Sequence, residues 1–346
     1  MKVGIIGCGA ISRKHLSHIG GIAGVEIVGV SDTDVESAWK IARQFGIAHV
    51  YQKASEMLED RRPEVVHILT PPQSHKELSI QAMQAGCHVL VEKPMALNVG
   101  EADEMIAASR RHRVKLAICH NFLFDPAVLA ARDLVASGEV GQVVSVEVFW
   151  RIYRAGGDRD FYRIRRWLYA LPGGIFHEPA PHPVYLLLEF LRTVRVVSAI
   201  SKRIGSDLPA PTDELRVLFD GEPGLGAIAV SVTTNPYQVF LNIFGTKMTL
   251  HVDLLTNTVL KLKSSGTGGL LQAVLLDSDQ GLRLLAESVT ISVQAPGHQR
   301  ILGHGVLIRK FYESIREGTD PPVTAEAGRA VVEVLSQIWA MLGKER

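Results

Sequence analysis

The sequence predicts an α/β chain in two parts: a doubly wound parallel sheet over residues 1–121, then an α+β domain over residues 122–346 built on a large open, mainly antiparallel sheet. Three observations carry that expectation. Short runs rich in Val and Ile alternate with helical patterns through the first third, the signature of βαβ units. Near Asn121 the alternation stops and strand-like segments follow one another. A length of 346 residues also suits two domains of roughly 150 residues each.

Lys2–Gly7, Glu26–Ser31, Val65–Thr70, His88–Glu92 and Lys115–Cys119 read as strands, nearly unbroken in apolarity and so suited to burial on both sheet faces. Helical patterns lie between them at Ile11–Ile19, Val35–Phe45, Ser74–Ala85 and Gly100–His112. After a helix at Ala127–Ser137 come strands at Val143–Trp150, Val194–Arg203, Glu214–Asp220, Leu225–Thr234, Gln238–Phe244, Met248–Leu255 and Thr258–Lys263. Several alternate apolar and polar residues, which fits a sheet with one covered face. A helix at about Ala180–Leu191 interrupts the series, and helices at Gly305–Arg316 and about Thr324–Leu342 close the chain. Ser264–Pro296, with a helical stretch at Leu270–Leu285, reads as an excursion covering a neighbour or a subunit.

Composition narrows the function class. With Lys plus Arg at 37 and Asp plus Glu at 36, the net charge of +1 argues against a nucleic-acid binder working by overall charge. No apolar run reaches the roughly 18 residues of a membrane span; Val184–Leu191 is broken by Glu189. Met1-Lys2 leads directly into a strand rather than a cleavable leader. Cys8, Cys87 and Cys119 have no paired spacing, so no disulfide framework is expected. A soluble, cytoplasmic enzyme is the expectation, with neither nucleic acid nor membrane as partner.

Gly7-Cys8-Gly9-Ala10-Ile11-Ser12 follows the first strand and opens the first helix. Gly7 permits the tight turn, and Gly9 lets the backbone approach a pyrophosphate held by the helix N-terminus. Ser12 stands where a third Gly or Ala is usual and is still small. Asp32, at the end of the second strand, lies 20 residues beyond Ser12, where a carboxylate accepts ribose hydroxyls. This is the Rossmann arrangement for a dinucleotide. The carboxylate repels a 2′-phosphate and residues 33–37 hold no cation, which favours NAD; Lys40 and Arg43 keep NADP open.

Glu92-Lys93-Pro94 ends a later strand, so Lys93 is aimed at the reactive half of the cofactor. With Gly-x-Gly, Asp32, Thr70-Pro71-Pro72-x-x-His75 and Glu92-Lys93-Pro94 in this order, the chain resembles the Gfo/Idh/MocA family, the group of glucose–fructose oxidoreductase and inositol dehydrogenase. The resemblance extends over nearly the whole length, including the Pro-Pro-Val-Thr-Ala-Glu opening of the last helix. It implies an NAD(P)-dependent oxidoreductase acting on a secondary alcohol or ketone of a sugar, polyol or sugar derivative. It also implies that Lys93 contacts substrate and assists catalysis, that Pro94 follows a cis bond, and that Thr70, Pro71, His75, Glu92 and Lys93 line the cofactor beside Gly7, Gly9, Ala10, Ile11, Ser12 and Asp32.

The family's second motif is a Gly-rich turn followed by Asp-x-Gly-x-His on a helix. Aligned on Gly173-Gly174, the resemblance puts Glu178 at the Asp position and His182 at the His position. Residues four apart share a helix face, so carboxylate and imidazole converge on one hydroxyl. Oxidising an alcohol needs a base for the hydroxyl proton, and His, with an ordinary pKa of about 6.5, suits that task. Lys93 would hold the same oxygen, and Glu178 would orient the sugar or the histidine. Glu replaces Asp here, Pro179 and Pro181 stiffen the helix entry, and Leu123 stands where the family commonly has Arg; these departures bear on substrate. No metal is expected, although His177, Glu178 and His182, with His120 near, offer a second reading as ligands. Against it, His177 and His182 are five apart rather than four.

Between Phe149 and Tyr169, seven aromatics interleave with six arginines, which suits a pocket rim for sugar faces and anions or, as well, a subunit interface. Two other readings of the whole chain stand beside the dehydrogenase: NAD-retaining, redox-assisted elimination or hydrolysis of a glycoside, and a non-catalytic NAD-binding protein. The open sheet favours a homodimer or homotetramer.

Overall fold

The Val- and Ile-rich runs of the first third become strands of one parallel sheet in a computed structural model that describes residues 1–152, 166–205, 208, 210–263 and 302–344. In chain order they are β1 (Lys2–Ile6), α1 (Ala10–Ile19), β2 (Glu26–Ser31), α2 (Val35–Phe45), β3 (Val50–Tyr51), α3 (Ala54–Arg61), β4 (Val65–Ile68), α4 (His75–Gln84), β5 (His88–Val91), α5 (Val99–His112) and β6 (Leu116–Ile118). The sheet order β3-β2-β1-β4-β5-β6 reverses direction between β1 and β4, which opens a crevice beyond their carboxyl ends. Helix starts follow local chemistry. Asp34 caps α2 by accepting from the Glu36 N–H at 3.2 Å, and Asn98 caps α5 by accepting from Glu101 at 3.0 Å. The glutamate answers by accepting the Leu97 N–H at 3.0 Å, completing a reciprocal cap. β3 and α3 were not foreseen: β3 is two residues long, and α3 buries only Ala54, Met57 and Leu58.

The later strands form a seven-stranded sheet. α6 (Pro126–Ala136) precedes β7 (Val143–Arg151), and α7 (Pro181–Leu191) leads into β8 (Thr193–Lys202), β9 (Glu214–Glu222), β10 (Leu225–Ser231), β11 (Gln238–Gly245), β12 (Thr249–Asp253) and β13 (Thr258–Leu262). The order is β13-β12-β11-β7-β10-β9-β8, antiparallel except where β7 pairs β10. One face is apolar: Leu215, Val217 and Phe219 on β9 and Val239, Leu241 and Ile243 on β11 are buried. α7, apolar nearly all round, packs on β7 and β10. By the strand register Ile200, Leu218 and Leu225 share the other face, each more than half exposed.

The last two helices, α8 (Leu302–Glu317) and α9 (Ala325–Lys344), form as expected, but contacts assign most of their length elsewhere. One unit comprises Met1–Asn121 with Gly303–Ser336, the other Phe122–Leu302 with Gln337–Arg346. The sequence places everything after Asn121 in one domain; instead Leu307, Ile308, Phe311 and Tyr312 bury their side chains completely in the first unit. There Thr324 bridges to Ala117 of β6, and Arg329 pairs with Asp103 at 2.6 Å. Residues 153–165 and 264–301, which hold much of the arginine-rich stretch and the whole Ser264–Pro296 segment, lie outside the described residues. Among the described residues no helix is long and apolar enough to cross a membrane.

Candidate active site

The glycine loop closes as the crevice requires. Gly7 adopts φ +99°, and a Cβ there would lie 2.7 Å from the Leu69 carbonyl carbon and 2.9 Å from the Thr70 nitrogen. The position therefore excludes any side chain on two counts. At Gly9, the N-cap of α1, a Cβ would meet nothing within 4 Å. Gly9 and Ala10 are exposed and Ile11 is half-buried, so the Ala10 and Ile11 amides front an open cradle, while the Ser12 N–H donates to the Gly9 carbonyl at 3.2 Å. Ser12 is fully buried and donates its hydroxyl to the Gly9 carbonyl at 2.6 Å. Asp32 accepts the Cys8 N–H at 2.7 Å and the Asp34 N–H at 2.9 Å, which fixes a half-exposed carboxylate beside the loop. Burial, with Asp32 adding to it, pushes the Cys8 thiol up to about 12, so it stays neutral. An open space at Gly9, a free-facing helix start and a positioned carboxylate fit a dinucleotide.

The two loops at the ends of β4 and β5 are tied to one another. His75, fully buried, places Nε2 2.8 Å from the Thr70 carbonyl and Nδ1 2.9 Å from the Pro94 carbonyl. Burial lowers its pKa against those two carbonyls. His75 is thus a strut that sets the loops. Thr70 is half-buried and accepts from the Ser74 hydroxyl at 2.7 Å, while Pro71 is exposed. The Lys93–Pro94 peptide is cis. Lys93 is half-buried, and its N–H donates to Glu92 Oε2 at 3.2 Å. The Glu92 carboxylate itself is buried, with Oε1 3.1 Å from His15 Nε2.

In the second unit His182 stands in the first turn of α7. Its ring stacks on Trp150 of β7 (4.8 Å, 11°) and meets the edge of Phe122 at 5.0 Å. Its Nδ1 lies 2.8 Å from the Tyr185 hydroxyl, which also accepts the Phe122 N–H at 3.3 Å. With Nδ1–H donating to the phenol, Nε2 keeps its lone pair, the form a base needs. The sequence singles out none of these three partners for this role, although Tyr185 lies three residues on in the same helix, a spacing that brings side chains together. Replacing Tyr185 with Phe is expected to lower kcat by about tenfold at most, the worth of one hydrogen bond, with the KM for cofactor unchanged. Steady-state kinetics with cofactor and substrate varied separately make the check.

The regular helix that carries His182 does not reach back to Glu178. Gly174–His177 is a 3-10 turn, Glu178 lies in the turn after it, and α7 begins at Pro181. Pro181 occupies the first turn of α7, where its missing N–H costs nothing. Glu178 is half-buried, while His177 is buried with its ring 6.0 Å from that of Trp339. His177, Glu178 and His182 do not form a metal-ligand group; among the described residues a different set converges. A Cβ at Gly173 would run into the Trp339 ring. Gly173→Ala is therefore expected to destabilise the chain by about 1–3 kcal/mol in denaturant unfolding, through overpacking.

Residues 1–120 match a family model described as "Oxidoreductase family, NAD-binding Rossmann fold", and residues 128–251 match one described as "GFO/IDH/MocA C-terminal domain". The chain is 37% identical to D-apiose dehydrogenase of Paraburkholderia graminis over 140 residues, 40% of this chain and 37% of that protein. It is 34% identical to D-glucoside 3-dehydrogenase of Escherichia coli over 146 residues, 41% of each. The match thus spans less than half the length of either relative. The crystal structure of the WlbA dehydrogenase from Bordetella pertussis, in complex with NADH and UDP-GlcNAcA, has a TM-score of 0.83 at 22% identity and covers 100% of this chain and 96% of that one. At that identity the likeness is one of fold.

Proposed function

Because the chain belongs to the Gfo/Idh/MocA family and its residues 1–120 are an NAD-binding Rossmann domain, we propose that it is an NAD-dependent dehydrogenase or reductase acting on a secondary alcohol or ketone of a sugar, polyol or sugar derivative. The observation that carries the reaction type is His182, an imidazole stacked on Trp150 and held at Nδ1 by a phenol. Bound NAD supplies the hydride acceptor. His182 Nε2 takes the hydroxyl proton as the C–H electron pair leaves and the C–O bond becomes a carbonyl, and the same proton is returned in reduction. The Lys93 ammonium draws electron density from the reacting oxygen. Glu178 orients the sugar or the histidine. Asp32 binds the ribose hydroxyls and disfavours a 2′-phosphate, so NAD is preferred to NADP.

The names of the relatives, dehydrogenases of apiose and of glucosides, support the substrate class. A panel of aldoses, polyols, uronates and glycosides incubated with NAD, with NADH followed by absorbance, tests the reading. Net NADH from a sugar or polyol supports it. Substrate consumed with NAD retained and no net NADH would move the assignment to redox-assisted elimination, and NAD binding without any conversion would move it to a non-catalytic binder. Ile200, Leu218 and Leu225 on the open sheet face extend the proposal to a homodimer or homotetramer, read by light scattering.

A further inference from the structure

We propose that His15, Glu92, Cys119 and His304 form a four-ligand structural site for one divalent cation of the Zn²⁺ type inside the nucleotide-binding unit. Each offers one ligand atom, and all four atoms lie within 4.8 Å of one another. His15 and Cys119 are fully buried, and Glu92 and His304 are each 7% exposed. His15 Nε2 is 3.1 Å from Glu92 Oε1 and 3.9 Å from Cys119 Sγ. A tetrahedron with bonds of about 2.0–2.3 Å has edges of roughly 3.3–3.8 Å, so those two edges are nearly formed and the longest needs to close by about an ångström.

The His15–Glu92 pair would be complete as an ion pair, but that leaves the rest of the cluster without a purpose. His304 Nδ1 is buried with no hydrogen-bond partner among the described residues. As a neutral imidazole, His304 offers one ring-nitrogen lone pair. The Cys119 thiol becomes a ligand by giving its proton to solvent as the cation enters. One thiolate, one carboxylate and two neutral imidazoles then balance a dication, which suits a buried site. A sulfur and two nitrogens in four-fold array select zinc over magnesium or calcium, and four protein ligands leave no open position for chemistry.

The outer partners are also in place. His15 Nδ1 lies 2.9 Å from His67 Nδ1, and His67 Nε2 lies 2.9 Å from the Tyr312 hydroxyl. With His15 Nδ1–H donating to His67, and His67 Nε2–H donating to Tyr312, both ring protons point away from the cation and His15 Nε2 is left to bind it. The site would pin α1, the ends of β5 and β6, and α8 together. Through the Lys93 N–H on Glu92 Oε2 it would also set the backbone that carries Lys93.

The proposal does not depend on the substrate reading, and it is tested on the full chain, stripped by chelator and titrated with Zn²⁺ and Co²⁺. One equivalent of each is expected, with a thiolate-to-cobalt band in the near ultraviolet and the strong visible bands of four-coordinate cobalt. Cys119→Ser should abolish the thiolate band, Tyr312→Phe should weaken Zn²⁺ by about tenfold, and His304→Gln should weaken it further. NAD binding by each variant serves as the control for folding. No stoichiometric Zn²⁺ or Co²⁺ in the parent chain, or a cobalt spectrum unmoved by Cys119→Ser, would overturn the site.

Discussion

Replacing His182 with Asn, or Lys93 with Met, is expected to lower turnover by about two to four orders of magnitude while NAD binding persists, the range general acid–base groups supply. Asn keeps the polar reach toward the Tyr185 hydroxyl and a flat face for Trp150, yet cannot accept the proton. Met keeps the length of Lys93 and removes the charge that polarises oxygen. Neither change touches the Gly7–Ser12 loop or Asp32, so NAD should still bind, near the parent affinity in His182→Asn and more weakly in Lys93→Met only by the loss of its contact with the cofactor. Steady-state rates on the best substrate of the panel, set against that affinity, decide the matter. Near-normal rates in both variants would sink the proposed roles of both residues.

Gly7→Ala is expected to damage both the fold and cofactor binding, and Gly9→Ala to damage cofactor binding alone. At Gly7 the positive φ costs an L-residue about 1–3 kcal/mol. The added methyl would also collide with backbone atoms of Leu69 and Thr70, which cannot rotate away as a side chain could. Relieving that contact displaces the Gly7 N–H from the Ser31 carbonyl, now at 2.8 Å, and the neighbouring Cys8 N–H from Asp32. At Gly9 φ is −75° and the methyl meets only open space, so stability should hold. That space is where the pyrophosphate is proposed to lie, and NAD affinity should fall by tenfold or more. Denaturant unfolding and NAD calorimetry on the pair separate the two effects. A Gly9→Ala chain that binds NAD as the parent does would show the cradle to be misplaced.

The parallel sheet and its cradle were legible because each signal is contiguous: a run of β-branched residues, a glycine pair at its end, an acid at the end of the next run. β3 and α3 were illegible because two residues carry no period and a short helix burying three side chains hardly more. The start of α7 at Pro181 was legible as well, since a proline is favoured in a helix's first turn. Tyr185 and Trp150 illustrate a different limit. One lay in plain helical register with His182, whereas the other is brought beneath it by a strand many residues earlier. His15, Glu92, Cys119 and His304 are further apart still, and no spacing rule relates them; only the winding of α1, β5, β6 and α8 around one sheet makes them neighbours. The attachment of α8 is of the same kind, since an amphipathic pattern says that a face is covered without saying by what.

The return of Gly303–Ser336 to the first unit bears on how the chain is made. During synthesis the nucleotide-binding sheet leaves the ribosome long before the helix that fills its flank with Leu307, Ile308, Phe311 and Tyr312. Domains commonly fold in the order in which they emerge; here the first unit must wait, with that flank uncovered, until the seven-stranded sheet has been translated. A nascent chain arrested after Asn121 would therefore expose apolar surface to chaperones, and protease protection of the first unit should appear only once α8 has emerged.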